Sequence, residues 1–598
     1  MQRPGLVLVL AGRWLPGRQA LECPDRLTER SQPDTLAFAG QPEQARLRIA
    51  GSGAAGNCNH PGGQPLFVGG MTFMGMPSAA SGRLAGAGRA GAGLGALLRR
   101  HWLLAVLLAA GLTLRILVQA AYRPALIFSD SVRYLYLSGG NDPVGYRVLL
   151  KPVLLVGNLD MVAAVQHLLG LGMAVALYVL LLRRGVPRAL AALATAPVLL
   201  DGYQLQMEQS IMSDVLFETL IVTGLVILLW ECRPRPWMLV AAGLAFGSSA
   251  TVREVGQVLI LPAAAYLLVA VRGWRIRLGQ GAVLGAAFLL PILAYCTTSL
   301  VITGHFRLAS QGTNELYGRV VLAANCHAVK LPADERPLCP PRQYALKLGN
   351  DDLVHSPRSP LRDFMPPGKT AAAIAGDFTQ RVFWQDPVGV VAAIGQDALK
   401  LFAVTRVTDP GDTPISRWQF QTAYPTYQHV RLQTVRAAGK RFGGGGPAVS
   451  KPLAAFLRAY QLDGGYTPGP LLALATLAGL GGSIGVLRRR RAREAESARE
   501  ARGARGAGRD VSVACLLFFA TAVILLLASD AFEFSWRYQL PALVTLPPAG
   551  ALGILALVGY FTGARGGGPA VTAGAPVQAG HPGALASAND SGTAQASS

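Results

Sequence analysis

Apolar runs long enough for a helix to cross a hydrocarbon layer of roughly 30 Å recur along this chain, and they constrain its fold more than any other feature. Once water is gone, every backbone N–H and C=O must be satisfied within the segment itself, which leaves helices as the way to cross. Ten candidate spans fall at about 102–121, 159–182, 189–206, 211–230, 237–251, 255–271, 279–302, 469–487, 511–529 and 539–560. The expected fold is therefore an all-α polytopic membrane protein of about ten transmembrane helices. A formal charge of +22 would suit nucleic acid in a soluble protein. Here the basic residues gather in short clusters between the apolar runs, a positive-inside pattern, so no nucleic-acid partner is expected.

If the first span runs from inside to outside, the segments Arg183-Arg184, Arg233-Pro234-Arg235, Arg272 to Arg277 and the basic run at 488–509 all fall on the cytoplasmic side. The other side then receives the loop at 122–158, short turns near 202–210 and 252–254, the segment 303–468, and 530–539. The 303–468 segment is too long for an ordinary connection and reads as a small extracytoplasmic domain between the seventh and eighth spans. The expected organisation is an N-terminal extension at 1–100, a transmembrane core at 101–302, the outer domain at 303–468, C-terminal transmembrane helices at 469–562 with a basic cytoplasmic loop, and a tail at 563–598. Gly, Ala, Pro and Arg recur without periodicity in the extension, so it is expected to be disordered or to precede a later start at Met71, Met74 or Met76. The tail is expected to be disordered as well.

Of the seven cysteines, Cys326 and Cys339 lie together in the outer segment, thirteen positions apart, where an oxidising compartment permits a disulfide. Two thiols, or a zinc site using His327, are the alternatives.

The chemistry-bearing residues gather on the outer side. Asp130, just after the first span, is placed to take a proton from an acceptor hydroxyl, and an N-cap for a helix at 131–137 is the competing reading. Arg147 and Lys151 are four apart, so one helical face presents both to a phosphate or to lipid headgroups. Asp201, Glu208 and Asp214 fall in the turn between the third and fourth spans, where charges at membrane depth cost roughly 2.5–3.5 kcal/mol each and need partners or a wet cavity. Arg253 either holds an anionic group or neutralises Glu254 or Asp214. Arg537 stands at lipid-phosphate height between Trp536 and Tyr538, which fit an interfacial aromatic belt.

In order and placement, Phe128-Ser129-Asp130-Ser131-Val132-Arg133-Tyr134, Pro143-Val144-Gly145-Tyr146-Arg147, Ser213-Asp214 and Arg537-Tyr538 make the chain resemble the GT-C class of lipid-carrier-dependent glycosyltransferases over about 100–560. That class includes the protein O-mannosyltransferases and bacterial polyprenyl-phosphate sugar transferases. The resemblance implies a cell-membrane enzyme whose active face is extracytoplasmic and which moves a sugar from a polyprenyl-phosphate donor to an acceptor hydroxyl. It implies Asp130 as the base, with Arg253 or Arg537 stabilising the phosphate leaving group, while Glu208 and Asp214 are further catalytic candidates because of the cost of their charge at membrane depth. Arg133, Tyr146, Arg147, Lys151, Arg253, Arg537 and Tyr538 are expected on the substrate side. Many members carry two adjacent acids in this first loop, whereas Ser131 follows Asp130, leaving Asp142 or Glu208 as substitutes. No Asp-x-Asp triplet appears, so no cofactor is expected, with a divalent metal left open. The competing class is a transporter or flippase for a lipid-linked or anionic solute, against which stands the absence of internal repeats. Membrane lipids are partners in either case.

Overall fold

The computed structural model describes residues 95–565, except 138–142, 272, 310–311, 327, 366, 428–429 and 496–501. Asp142, Arg272, His327, most of the N-terminal extension and nearly all of the expected tail lie outside the described residues. The fold is an all-α membrane architecture. Among the described residues, five helices are long and apolar enough to cross a membrane: Trp102–Ala121, Leu159–Arg183, Trp274–Thr303, Val511–Asp530 and Trp536–Tyr560. Shorter apolar helices occupy Pro236–Val252, Glu254–Ala270 and Gly469–Gly485.

Helix α1 (Trp102–Ala121) ends where Tyr122 turns extended, and the chain then pairs Tyr122 and Arg123 antiparallel with Val449 and Ala448. After the short helices α2 (Ser129–Tyr136) and α3 (Arg147–Val156), α4 (Leu159–Arg183) starts from Asn158, whose side chain accepts from the Met161 N–H. Its buried positions Val162, Gln166, Gly170, Met173, Ala174, Leu177 and Leu181 recur three and four apart, which turns one face inward.

The expected span at 189–206 is instead three short helices, α5 (Arg188–Leu193), α6 (Ala196–Leu200) and α7 (Gly202–Gln209). Pro197 opens α6, and the Asp201 carboxylate caps α7 by accepting from the Tyr203 N–H at 2.9 Å. The stretch expected as a short outer turn is buried: all eight residues of α7, polar Gln204, Gln206, Glu208 and Gln209 included, are shielded. Helices α8 (Asp214–Leu228), α9 (Pro236–Val252), α10 (Ile260–Ala270) and α11 (Trp274–Thr303) follow the expected runs closely.

The 303–468 segment divides between two cores. Tyr317 and Val320 of α12 (Gly312–Ala323), Leu338 from the short turn after it, Leu353 of α13 (Arg342–His355) and Ile374, Phe378 and Val382 of α15 (Ala371–Gln385), with α14 (Pro360–Asp363) beside them, form a separate cluster. Each such fully buried side chain contributes about 1.5–3 kcal/mol of transfer free energy. Cys326 and Cys339 form a disulfide on this cluster with a Cα separation of 5.8 Å, ordinary for such a bond. Past α16 (Pro387–Lys400), residues such as Trp418, Phe420, Val435 and Leu457 join the main core instead, through α17 (Leu432–Phe442) and α18 (Lys451–Leu462). The last three helices, α19 (Gly469–Ala495), α20 (Arg502–Asp530) and α21 (Pro541–Arg565), pack on one another at small residues such as Gly550 and Gly553, where an added Cβ would strike Ala475 or Ala478.

Candidate functional site

Asp130 is aimed by backbone pairing and by a short helix. The Leu126 N–H donates to the Gln209 carbonyl and the Ile211 N–H to the Leu126 carbonyl, both at 2.9 Å, which fixes the strand leading into α2 against the end of α7. Phe128 then takes the N-cap position, its N–H donating to Ser131 Oγ at 2.8 Å, while its ring packs on Trp418 and Tyr427. Asp130 therefore lies inside the first turn of α2 and is not its cap. Its carboxylate faces the positive end of the helix and stays partly open, at 22% exposure.

A guanidinium from the far end of the chain meets it. Arg537 Nη1 donates to Asp130 Oδ2 at 2.9 Å, while its Nε and Nη2 donate to Asp214 at 2.9–3.0 Å. Arg253, on extended backbone just after α9, forms a second ion pair with Asp214 through Nη1. The Tyr538 ring serves both cations, with the Arg253 guanidinium 4.7 Å and that of Arg537 5.4 Å from its centroid. Burial pushes the Asp130 carboxyl up, but the nearby guanidinium groups of Arg537 and Arg133 outweigh it and hold its pKa below the usual value.

All of these groups except Asp214 line a cavity of about 230 Å³. Asp130, Arg133, Arg253, Arg537 and Tyr538 contribute to its wall together with Trp418 and Ser213. Further parts of the wall come from the first loop, the turn after α9, the 303–468 segment and the loop before α21. There His355 meets Glu315 at 3.0 Å, Arg417 meets Asp351 at 2.6 Å, and the Thr413 hydroxyl donates to Glu533. Burial, reinforced by Asp351 and Glu315, pushes the Glu533 carboxyl well up. The hydrogen bond to Glu315 raises the His355 imidazole against the opposing effect of burial. The cavity thus sets an ionised acid beside two arginines on one wall and a mixed rim of acids, a histidine and an arginine on the other.

Not every expected residue reaches this cavity. Tyr146 is buried against Tyr134 and donates to Gln166 Oε1 at 2.8 Å. Arg147 turns to the Tyr134 carbonyl, so it supports α2 from behind, and Lys151 is exposed. Glu208 lies deeper in the bundle, held by Arg115 Nη2 at 2.7 Å and His167 Nδ1 at 2.9 Å. Gly170 leaves room for that pair, since a Cβ there would sit 2.1 Å from Glu208 Oε1. Asp201, the third acid of that turn, pairs with Arg406 at 3.1 Å, and Tyr203, Tyr466 and Trp536 surround the guanidinium.

Sequence reasoning missed Arg115, His167, Trp418, Glu315, His355, Arg417 and Glu533. Arg115 carried a usable signal, being a lone cation amid α1, where an ionisable residue demands a partner. Among the described residues, no group of three or more His, Cys, Asp or Glu side chains is arranged to hold a metal ion. Asp130 and Asp214 are both engaged by guanidinium groups. No family model, curated protein or solved structure matches the chain.

Proposed function

We propose that this protein is a membrane glycosyltransferase that moves a sugar from a polyprenyl-phosphate donor to an acceptor hydroxyl. The observation that carries the reading is the partly open Asp130 carboxylate held 2.9 Å from Arg537 in a cavity that also receives Arg253. In the reaction, Asp130 Oδ1, whose ion-pair partner Arg133 Nη2 stands off at 3.9 Å, takes the acceptor's hydroxyl proton as the hydroxyl oxygen bonds to the anomeric carbon. The bond from this carbon to the phosphate oxygen breaks, and its electron pair leaves on the polyprenyl phosphate. Arg253 and Arg537 face the charge that grows there, and fixed cations in a site of low dielectric lower the barrier without reorganising. A phosphate that competes for Arg537 also loosens its hold on Asp130, so the donor's arrival makes the acid a better base.

The proposed topology keeps the ten spans, with α5 to α7 as a broken third span and the cavity on the extracytoplasmic face of the cell membrane. The Arg clusters between spans support that orientation. The 303–468 segment then roofs the cavity, and the donor's isoprenoid tail stays among membrane lipids.

Purified protein with radiolabelled polyprenyl-phosphate sugars tests the reading. Asp130→Asn is expected to lower transfer by about 10²-fold or more with folding intact. Undiminished transfer would remove Asp130 from the mechanism, and carrier translocation without sugar transfer would put a flippase in its place.

A further inference from the structure

Asp214 carries two cations and offers nothing to the cavity itself. Its Oδ1 accepts from Arg253 and from Arg537 Nε, and its Oδ2 accepts from Arg537 Nε and Nη2. The side chain is 5% exposed and is absent from the cavity wall, whereas Arg253 and Arg537 both line it. An acid whose two oxygens are both occupied by donors presents neither of them to a substrate. Two guanidinium groups on one carboxylate, however, would repel each other without it.

From this arrangement we infer that Asp214 is a positioning residue, which fixes Arg253 and Arg537 side by side as a paired clamp for the donor's phosphate. The inference rests on the glycosyl-transfer reading and deepens it, because it separates the acid that touches substrate from the acid that aims the cations. Aromatic rings complete the mounting. Tyr538 packs against both guanidinium groups, Trp418 lies 5.4 Å from that of Arg537, and Phe217 lies 5.9 Å from that of Arg253. Arg537 gives Asp214 its Nε and Nη2 and Asp130 one contact from Nη1, so its fork cannot swing to one acid without losing the other. The clamp is therefore set before the donor arrives, which spares the ordering cost on binding.

Electrostatics and positioning make opposite predictions here. Asp214→Asn removes a negative charge beside the phosphate site, so charge alone would tighten the binding of an anion. Positioning requires the reverse. The experiment measures affinity of the full-length protein in detergent for a polyprenyl phosphate carrying no sugar, with Tm recorded for each variant. Asp214→Asn is expected to bind about tenfold or more weakly than wild type. Asp214→Glu keeps the charge and shifts the carboxylate by one methylene, so it remains informative if the Asn variant does not fold, and it is expected to lose affinity as well. Asn binding equal to or tighter than wild type, or Glu binding equal to wild type, would overturn the inference. A wild-type protein that fails to bind polyprenyl phosphate removes the glycosyl-transfer reading and the clamp with it.

Discussion

Glu208 and Arg115 meet at 2.7 Å with exposures of 0% and 2%, and His167 closes on the other carboxylate oxygen. A buried pair adds little net stability over apolar packing, but removing one partner strands the other charge. Glu208→Gln is expected to destabilise the protein by about 3 kcal/mol or more, leaving Arg115 uncompensated. Thermal unfolding in detergent checks this, and transfer per folded molecule is expected to stay near wild type. The outcome would separate Glu208 from Asp130, two acids that looked alike in the sequence. Asp130 was legible because it follows an apolar run and begins a polar stretch. Its partner was not, since Arg537 lies 407 positions away and no spacing rule links them. The fate of Glu208 was hidden for the same reason: Arg115 and His167 reach it from α1 and α4, and only their packing decides which polar turns are wet.

At the level of elements, the apolar runs located all five described helices that are long and apolar enough to cross a membrane, because length and hydropathy fix where a segment can cross. They failed at 189–206, where Pro197 and the Asp201 cap divide the run into short helices. They were also silent about how 303–468 divides between two cores, since that depends on which helices its apolar residues meet. Helices α12 and α13 within it are joined by Glu315 and His355, near Asp351 and Glu533. A histidine whose pKa is raised on folding contributes stability that is fully present below its unfolded value of about 6.5 and is lost as pH rises through the raised value. His355→Gln is therefore expected to lower Tm more at about pH 5.5 than at about pH 8.5, and equal losses at both would show that the ion pair contributes nothing.

Across the whole molecule, the orientation rests on the Arg clusters and has a direct readout in the exposed Cys232 between α8 and α9. In a chain with Cys23 and Cys58 replaced by serine, a membrane-impermeant maleimide is expected to label Cys232 only after the cells are permeabilised. Labelling of intact cells would invert the topology and put the cavity on the cytoplasmic side. The contact between Asp130 and Arg537 joins the first loop to the start of the last helix, and this bears on how the protein is made. At roughly 5–20 residues per second, ribosomes need on the order of 20–80 s between synthesising the two. Throughout that interval Asp130 has Arg133 beside it and Asp214 has Arg253. A chain cut short anywhere before Arg537 lacks the one cation that both acids share. The first loop and the middle of the chain are therefore joined at this site only once the last helix has begun to be made.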